Sequence, residues 1–191
     1  MSKLRIAGLM LGLVVAGAAE GADHKRTSTI TSLEPKLCKV IKRHPDGNAH
    51  ECPGLPGYPV YFAEGDLRAF LSFGPKPGAR RAATQTPGPF NTPFEKGGRR
   101  ATIEWRIVKR FGRDLPHATI VRYFASRDGS KSQVLVVTRI TDKEACHVAY
   151  IDATVNADAI MLARRIADEL APKFECKNEP RIEGKPGLLG G

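Results

Sequence analysis

Residues 133–152 read "QVLVVTRITDKEACHVAYID", and this stretch decides the fold. A strand sends successive side chains to opposite faces, so the unbroken apolar run Val134-Leu135-Val136-Val137 predicts a strand covered on both sides. The polar "TDKE" after it is a turn signal, and "ACHVAYID" returns as a neighbouring strand. Upstream, "HATIVRYFAS" joins the run through Asp128-Gly129. Before that, "ATIEWRIVKR" alternates Ile103, Trp105 and Ile107 with Glu104 and Arg106. Together the four segments predict an antiparallel meander.

A cover for one face lies just downstream. After Asn156, a candidate cap, "ADAIMLARRIADELA" places Ile160, Ala163, Ala167 and Leu170 at steps of three and four. Asp158, Arg164, Arg165, Asp168 and Glu169 fall on the opposite side. The expected fold class is therefore α+β: an antiparallel meander with a C-terminal helix packed on it and a disulfide-closed hairpin at the N-terminal side.

That hairpin is "LCKVIKRHPDGNAHEC", residues 37–52. Its ligand-type residues, Cys38, His44, His50 and Cys52, are spaced too loosely for a zinc site built from close pairs, and "HPDGN" is itself a turn signal. No metal site is expected. Four cysteines allow three connectivities, and loop closure favours Cys38 with Cys52 and Cys146 with Cys176. On the chain-entropy model the two loops contribute about 3 and about 3.7 kcal/mol. A three-residue turn at Pro45-Asp46-Gly47 would leave Cys38 diagonal to Cys52, about 7 to 8 Å away, so the pairing requires a longer loop or an extra bulge. A second hairpin is expected in "YPVYFAEGDLRAFLSFG", turning at Glu64-Gly65-Asp66.

The chain opens "MSKLRIAGLMLGLVVAGAAEGAD": Lys3 and Arg5, an uncharged run from Ile6 to Ala18, then small residues. This pattern predicts a signal peptide cleaved at about residue 19, and the run is shorter than the roughly 20 residues that span a bilayer. No later stretch is long or apolar enough to cross a membrane. The expected division is a signal at 1–19, a polar tail or linker at 20–36, one globular domain at 37–177 with a long loop at 75–101, and a flexible tail at 178–191. Export to the periplasm or outside the cell suits disulfide formation.

The formal charge of +10 becomes +8 once Lys3 and Arg5 are removed. Residues 76–113 alone carry +8, with Lys76, Arg80, Arg81, Lys96, Arg99, Arg100, Arg106, Lys109, Arg110 and Arg113 against Glu95 and Glu104. The basic character is thus local. Within this window a Pro- and Gly-rich connection is too long for an ordinary turn, a length associated with binding loops or disorder. Arg80, Arg81, Arg99, Arg100, Arg106, Lys109 and Arg110 are the candidate anion-binding residues, because guanidinium forks hold phosphate, sulfate or carboxylate groups. Arg122 and Arg139 could extend the patch, or pair with Glu104 and Asp152.

Catalytic patterns are absent: no G-x-S-x-G, H-E-x-x-H, G-x-x-x-x-G-K or C-x-x-C. Cys146 and His147 are adjacent on a strand and diverge. Glu64 and Asp66 would form an acid/base pair only if a groove lay over their hairpin. No catalytic residue and no cofactor is assigned.

In "YPVYFAEGDLRAFLSFG", "ATIEWR" and "CHVAYIDA", the chain resembles small exported proteins of unknown function from alphaproteobacteria. The resemblance implies periplasmic or secreted localisation and no activity. The leading expectation is a non-catalytic binding module whose basic segment meets an anionic polymer, a membrane surface or an acidic protein. Export argues against a cellular nucleic acid as partner, and oligomeric state is left open. The alternatives are a structural envelope protein without a ligand and a small periplasmic hydrolase.

Overall fold

The computed structural model describes residues 26–96, 98, 100–110 and 112–190. The expected signal peptide, residues 20–25 of the expected linker, His24 and Arg99 lie outside the described residues.

The structure is mostly β, in three layers. Strands β2 (Lys39–His44), β3 (Gly47–Leu55), β4 (Tyr58–Gly65) and β5 (Arg68–Phe73) form a small antiparallel sheet in sequence order. The large sheet runs β1 (Arg26–Leu33), β7 (Ala101–Arg110), β8 (Arg113–Arg127), β9 (Ser130–Ile140), β10 (Ala145–Asp152) and β11 (Arg181–Ile182). Strand β6 (Phe90–Thr92) pairs with the far end of β8. Helix α1 (Ala159–Arg165) forms the third layer, continued by a π-helical turn at Ile166–Leu170 and a 3-10 turn at Ala171–Lys173.

The double-sided apolar run has the environment its pattern demands. Val134 and Val136 pack with Val60, Phe62, Phe73 and Trp105 between the sheets, and Leu135 and Val137 pack with Ala163, Ile166 and Ala167 beneath the helix. Both disulfides close as the loop argument prefers, Cys38–Cys52 and Cys146–Cys176. The first hairpin has a two-residue connection, with His44 opposite Gly47, in place of the expected three-residue loop. A bulge at Ile41 then shifts the register to Val40–His50 and Lys39–Glu51, which carries Cys38 opposite Cys52. The second hairpin turns at Asp66-Leu67, both at positive φ (49° and 58°), as a two-residue turn matched to strand twist requires.

Gly47 has φ 154°, and a Cβ placed there would lie 1.8 Å from the Glu64 carbonyl oxygen, so the turn of one hairpin rests on the backbone of the next. Gly47→Ala should therefore destabilise the fold by about 1–3 kcal/mol, the range for strained backbone. A urea midpoint equal to that of the wild type would refute this contact.

Two expected segments, a linker and a tail, take other structures. Residues 26–33, placed in a linker, form β1 and pair with β7 over their whole length, Thr31 Oγ1 accepting from Trp105 Nε1 at 2.8 Å. The 75–101 connection, whose length left a binding loop and disorder both open, is largely built: Ala82, Ala83 and Asn91 are buried, and Phe94 meets Phe62 edge-on at 5.5 Å. In the expected flexible tail, β11 runs parallel to β10 and Leu189 is buried. The Leu188 N–H donates to Asp152 Oδ2 at 2.8 Å, and the Asn156 side-chain amide spans the Asp152 and Lys185 carbonyls. The Asn156 side chain thus holds the C-terminal segment, and the residue at the N-cap of α1 is Asp158.

Candidate anion-binding end

The predicted arginines do not form one cluster. Arg106 is an internal brace: its guanidinium donates to both Asp168 oxygens, at 3.0 and 2.5 Å, and to Ser28 Oγ at 2.5 Å. Glu104 accepts from Arg164 at 2.9 and 3.1 Å and from Ser28 at 2.6 Å. These two carboxylates and two guanidiniums neutralise one another between sheet and helix. Burial pushes the Glu104 carboxyl up, but the bonds from Arg164 and Ser28 and the nearby guanidinium charges outweigh it and hold it below the usual range. Arg106 thus leaves the list of available anion ligands. Arg81 donates to the Cys176 carbonyl and pairs with Glu179, clamping the segment beside the second disulfide. Arg100 pairs with Glu34 at 3.0 Å. The proposed pairings of Arg122 and Arg139 also differ: Arg122 donates to Gln133 and Arg139 pairs with Glu144 at 2.9 Å.

Arg80, Lys109 and Arg110 share one end of the molecule. Arg80 donates to the Pro75 carbonyl at 3.0 Å, the Asp142 carbonyl at 3.0 Å and the Lys143 carbonyl, so it pins the β9–β10 turn while its charge stays unpaired by these contacts. Lys109 and Arg110 end β7 in the exposed hairpin to β8, with Asp114 and Arg113 as their cross-strand partners. The two turns meet at a shallow cleft of about 260 Å³ lined by Tyr58, Arg110, His117, Arg139 and Asp142, among others. Burial and then the Asp142 charge raise the Tyr58 hydroxyl above its ordinary value, while the Arg113 charge opposes them. Arg110 thus lines the cleft, Lys109 and Arg113 belong to the same hairpin, and Arg80 braces the turn that carries Lys143, with the carboxylates of Asp114 and Asp142 in the same two turns.

Arg113, Lys143 and Tyr58 join this end only through the fold. One signal was available: alternate turns of a meander lie at the same end, so the 109–113 and 141–144 turns had to be neighbours.

The opposite end carries a cleft of about 530 Å³ lined by Asp46, Glu64, Asp66, Arg68, Phe90 and Phe124, among others. This supplies the groove that a hydrolase reading requires. Asp66, however, is ion-paired with Arg68, which leaves Glu64 without the free acid/base partner expected from its own turn. Cys146 joins the helix-side core through its disulfide and His147 faces away, so no thiol is available. His50 turns inward against Phe62 while His44 stays exposed at the hairpin end, and among the described residues no group of His, Cys, Asp or Glu is arranged to hold a metal ion. No described helix is long and apolar enough to cross a membrane.

Compared with known family models, curated proteins and solved structures, the chain finds no significant match.

Proposed function

We propose that the protein is an exported, non-catalytic binding module that takes an anionic polymer or anionic surface at the end formed by Arg80, Lys109, Arg110, Arg113 and Lys143. The observation that carries this reading is that Arg110 lines the Tyr58 cleft between two basic turns, one of them braced by Arg80, whereas Arg106 is held in a buried ion pair and Arg81 and Arg100 pair with Glu179 and Glu34 at the surface. Exposed cations beside a shallow cleft suit a ligand of repeated negative charge, because each contact releases counterions without requiring an enclosing pocket. Two disulfides and a leader of signal-peptide pattern support an oxidising, exported setting.

On immobilised sulfated polysaccharide, Lys109→Gln/Arg110→Gln/Arg113→Gln should elute at lower salt than the wild type. Its slope of log K against log salt should be smaller by about three, near one per cation lost. Arg81→Gln/Arg100→Gln should elute with the wild type. Co-elution of the triple variant with the wild type would sink the proposal. Parallel binding to vesicles with and without anionic lipid separates a soluble polymer from a membrane surface.

A further inference from the structure

The two sheets have four edges, and three are closed by recognisable devices. The outer edge of β2 carries Lys39, Lys42 and Arg43 and is broken by the bulge at Ile41, features that discourage strand addition. Side chains from the 75–101 segment occupy β5: the Ala69 N–H donates to Asn91 Oδ1 at 3.2 Å, and the Ala69 carbonyl accepts from Thr86 Oγ1 at 3.2 Å. On β10, the His147 N–H donates to Gln85 Oε1 at 2.8 Å, and β11 pairs with Ala149 and Tyr150. Strand β1 differs. It pairs with β7 on one side, and among the described residues no strand or side chain takes its other side.

Its sequence, RTSTITSL, has no proline and no charge after Arg26, and its register with β7 is unbroken. Ile30 is 58% exposed in the middle of the strand. An edge left flat and uncharged while its counterparts are closed is a surface shaped for strand addition.

We infer that β1 is the seam of a symmetric dimer, in which β1 pairs antiparallel with β1 of a second copy across a two-fold axis at Ile30. The register follows from geometry. A two-fold perpendicular to the sheet keeps each face on its own side, so opposed residue numbers must sum to an even value. With Ile30 on the axis, Ile30 meets Ile30, Thr29 meets Thr31 and Ser28 meets Ser32. Arg26 then falls opposite Glu34, where the backbone is still extended (φ −124°, ψ 107°), so the only charge on the strand meets the carboxylate that also holds Arg100 and Lys36 at each end. Shifting the axis to residue 29 forfeits both the apolar pair and the charge match. Arg164 of α1 reaches Glu104, the β7 residue opposite Ile30, and Met161, one turn earlier, is 62% exposed, which adds apolar surface on the helix side of the strand. A second copy fits this edge better than an unrelated peptide because the strand is complementary to itself.

Size-exclusion chromatography with light scattering on the full exported chain, across a wide concentration range, tests the inference. The wild type should pass from monomer to dimer with rising concentration. Ile30→Lys, which sets two ammonium groups on the axis, should weaken association by roughly tenfold or more. Ile30→Cys should form an intermolecular disulfide under mild oxidation, and Val155→Cys, exposed elsewhere, should not. Amide exchange of the unaltered chain supplies a reading independent of either variant's folding: β1 should become more protected as concentration rises. A wild type that stays monomeric throughout, a dimer that persists in Ile30→Lys, or β1 exchange independent of concentration would each overturn the seam.

Discussion

Lowering the pH from 7 to about 4.5 should cost the folded protein roughly 3 kcal/mol through His147 alone, and His147→Gln should escape that loss. The imidazole has no exposure to water. Burial depresses its pKa from 6.5 to about 3, and the Leu71 backbone opposes this only in part. Above pH 6.5 both folded and unfolded chains carry a neutral ring, so stability is undiminished. Below it the unfolded chain takes up a proton that the folded chain refuses, and stability falls by about 1.4 kcal/mol per pH unit until the folded pKa is reached. His117 is depressed in the same direction, chiefly by burial and in part by the charges of Arg106 and Arg26, with Asp168 opposing. Urea unfolding at pH 7 and pH 4.5 separates the contributions: His147→Gln should lose most of the pH dependence and His117→Gln a smaller share. Equal slopes in wild type and His147→Gln would refute the burial argument.

The position of His147 shows how far the sequence could be read. Strict alternation along β10 would have sent His147 and Tyr150 to opposite faces. A bulge between His147 and Ala149 resets the alternation, so that His147 Nδ1 lies 2.9 Å from Tyr150 Oη. Nothing in "ACHVAYID" announces an extra residue. The meander and its double-sided third strand were legible because Val134 to Val137 state their burial directly. Strand β1 was not, because an edge strand of Thr and Ser needs little apolar surface and reads like a linker. The candidate site was legible as composition and misplaced as geometry: Arg80, Lys109 and Arg110 belong to the basic end, while Arg106 alternates with Ile107 along a strand whose outer face proved to be covered by a helix. Charge density along a chain cannot tell a surface arginine from one opposite a buried carboxylate.

Arg106→Met should destabilise the protein by about 3–5 kcal/mol, the cost of leaving a buried partner charge uncompensated. Glu104 and Arg106 are only 5% and 9% exposed, and Asp168 sits in the π-helical turn with both oxygens on the Arg106 guanidinium. Without that guanidinium, Asp168 retains His117, whose Nε2 is 3.5 Å away and neutral near pH 7 because its pKa lies below the ordinary value. Replacing both partners, Arg106→Met with Asp168→Leu, should recover much of the loss, since an apolar pair of similar volume removes the stranded charge as well as the bond. The pH dependence distinguishes this network from packing. Glu104 is depressed below its unfolded value, so its contribution is fully present above about pH 4.5 and is lost as pH falls through the folded pKa. The double variant keeps Arg164 and Ser28 on Glu104 and should retain most of that acid limb, whereas Glu104→Gln should lose it. If the single and double variants prove equally unstable, the helix is held to the sheet by the volume of the Arg106 side chain, and the ion pairs contribute little.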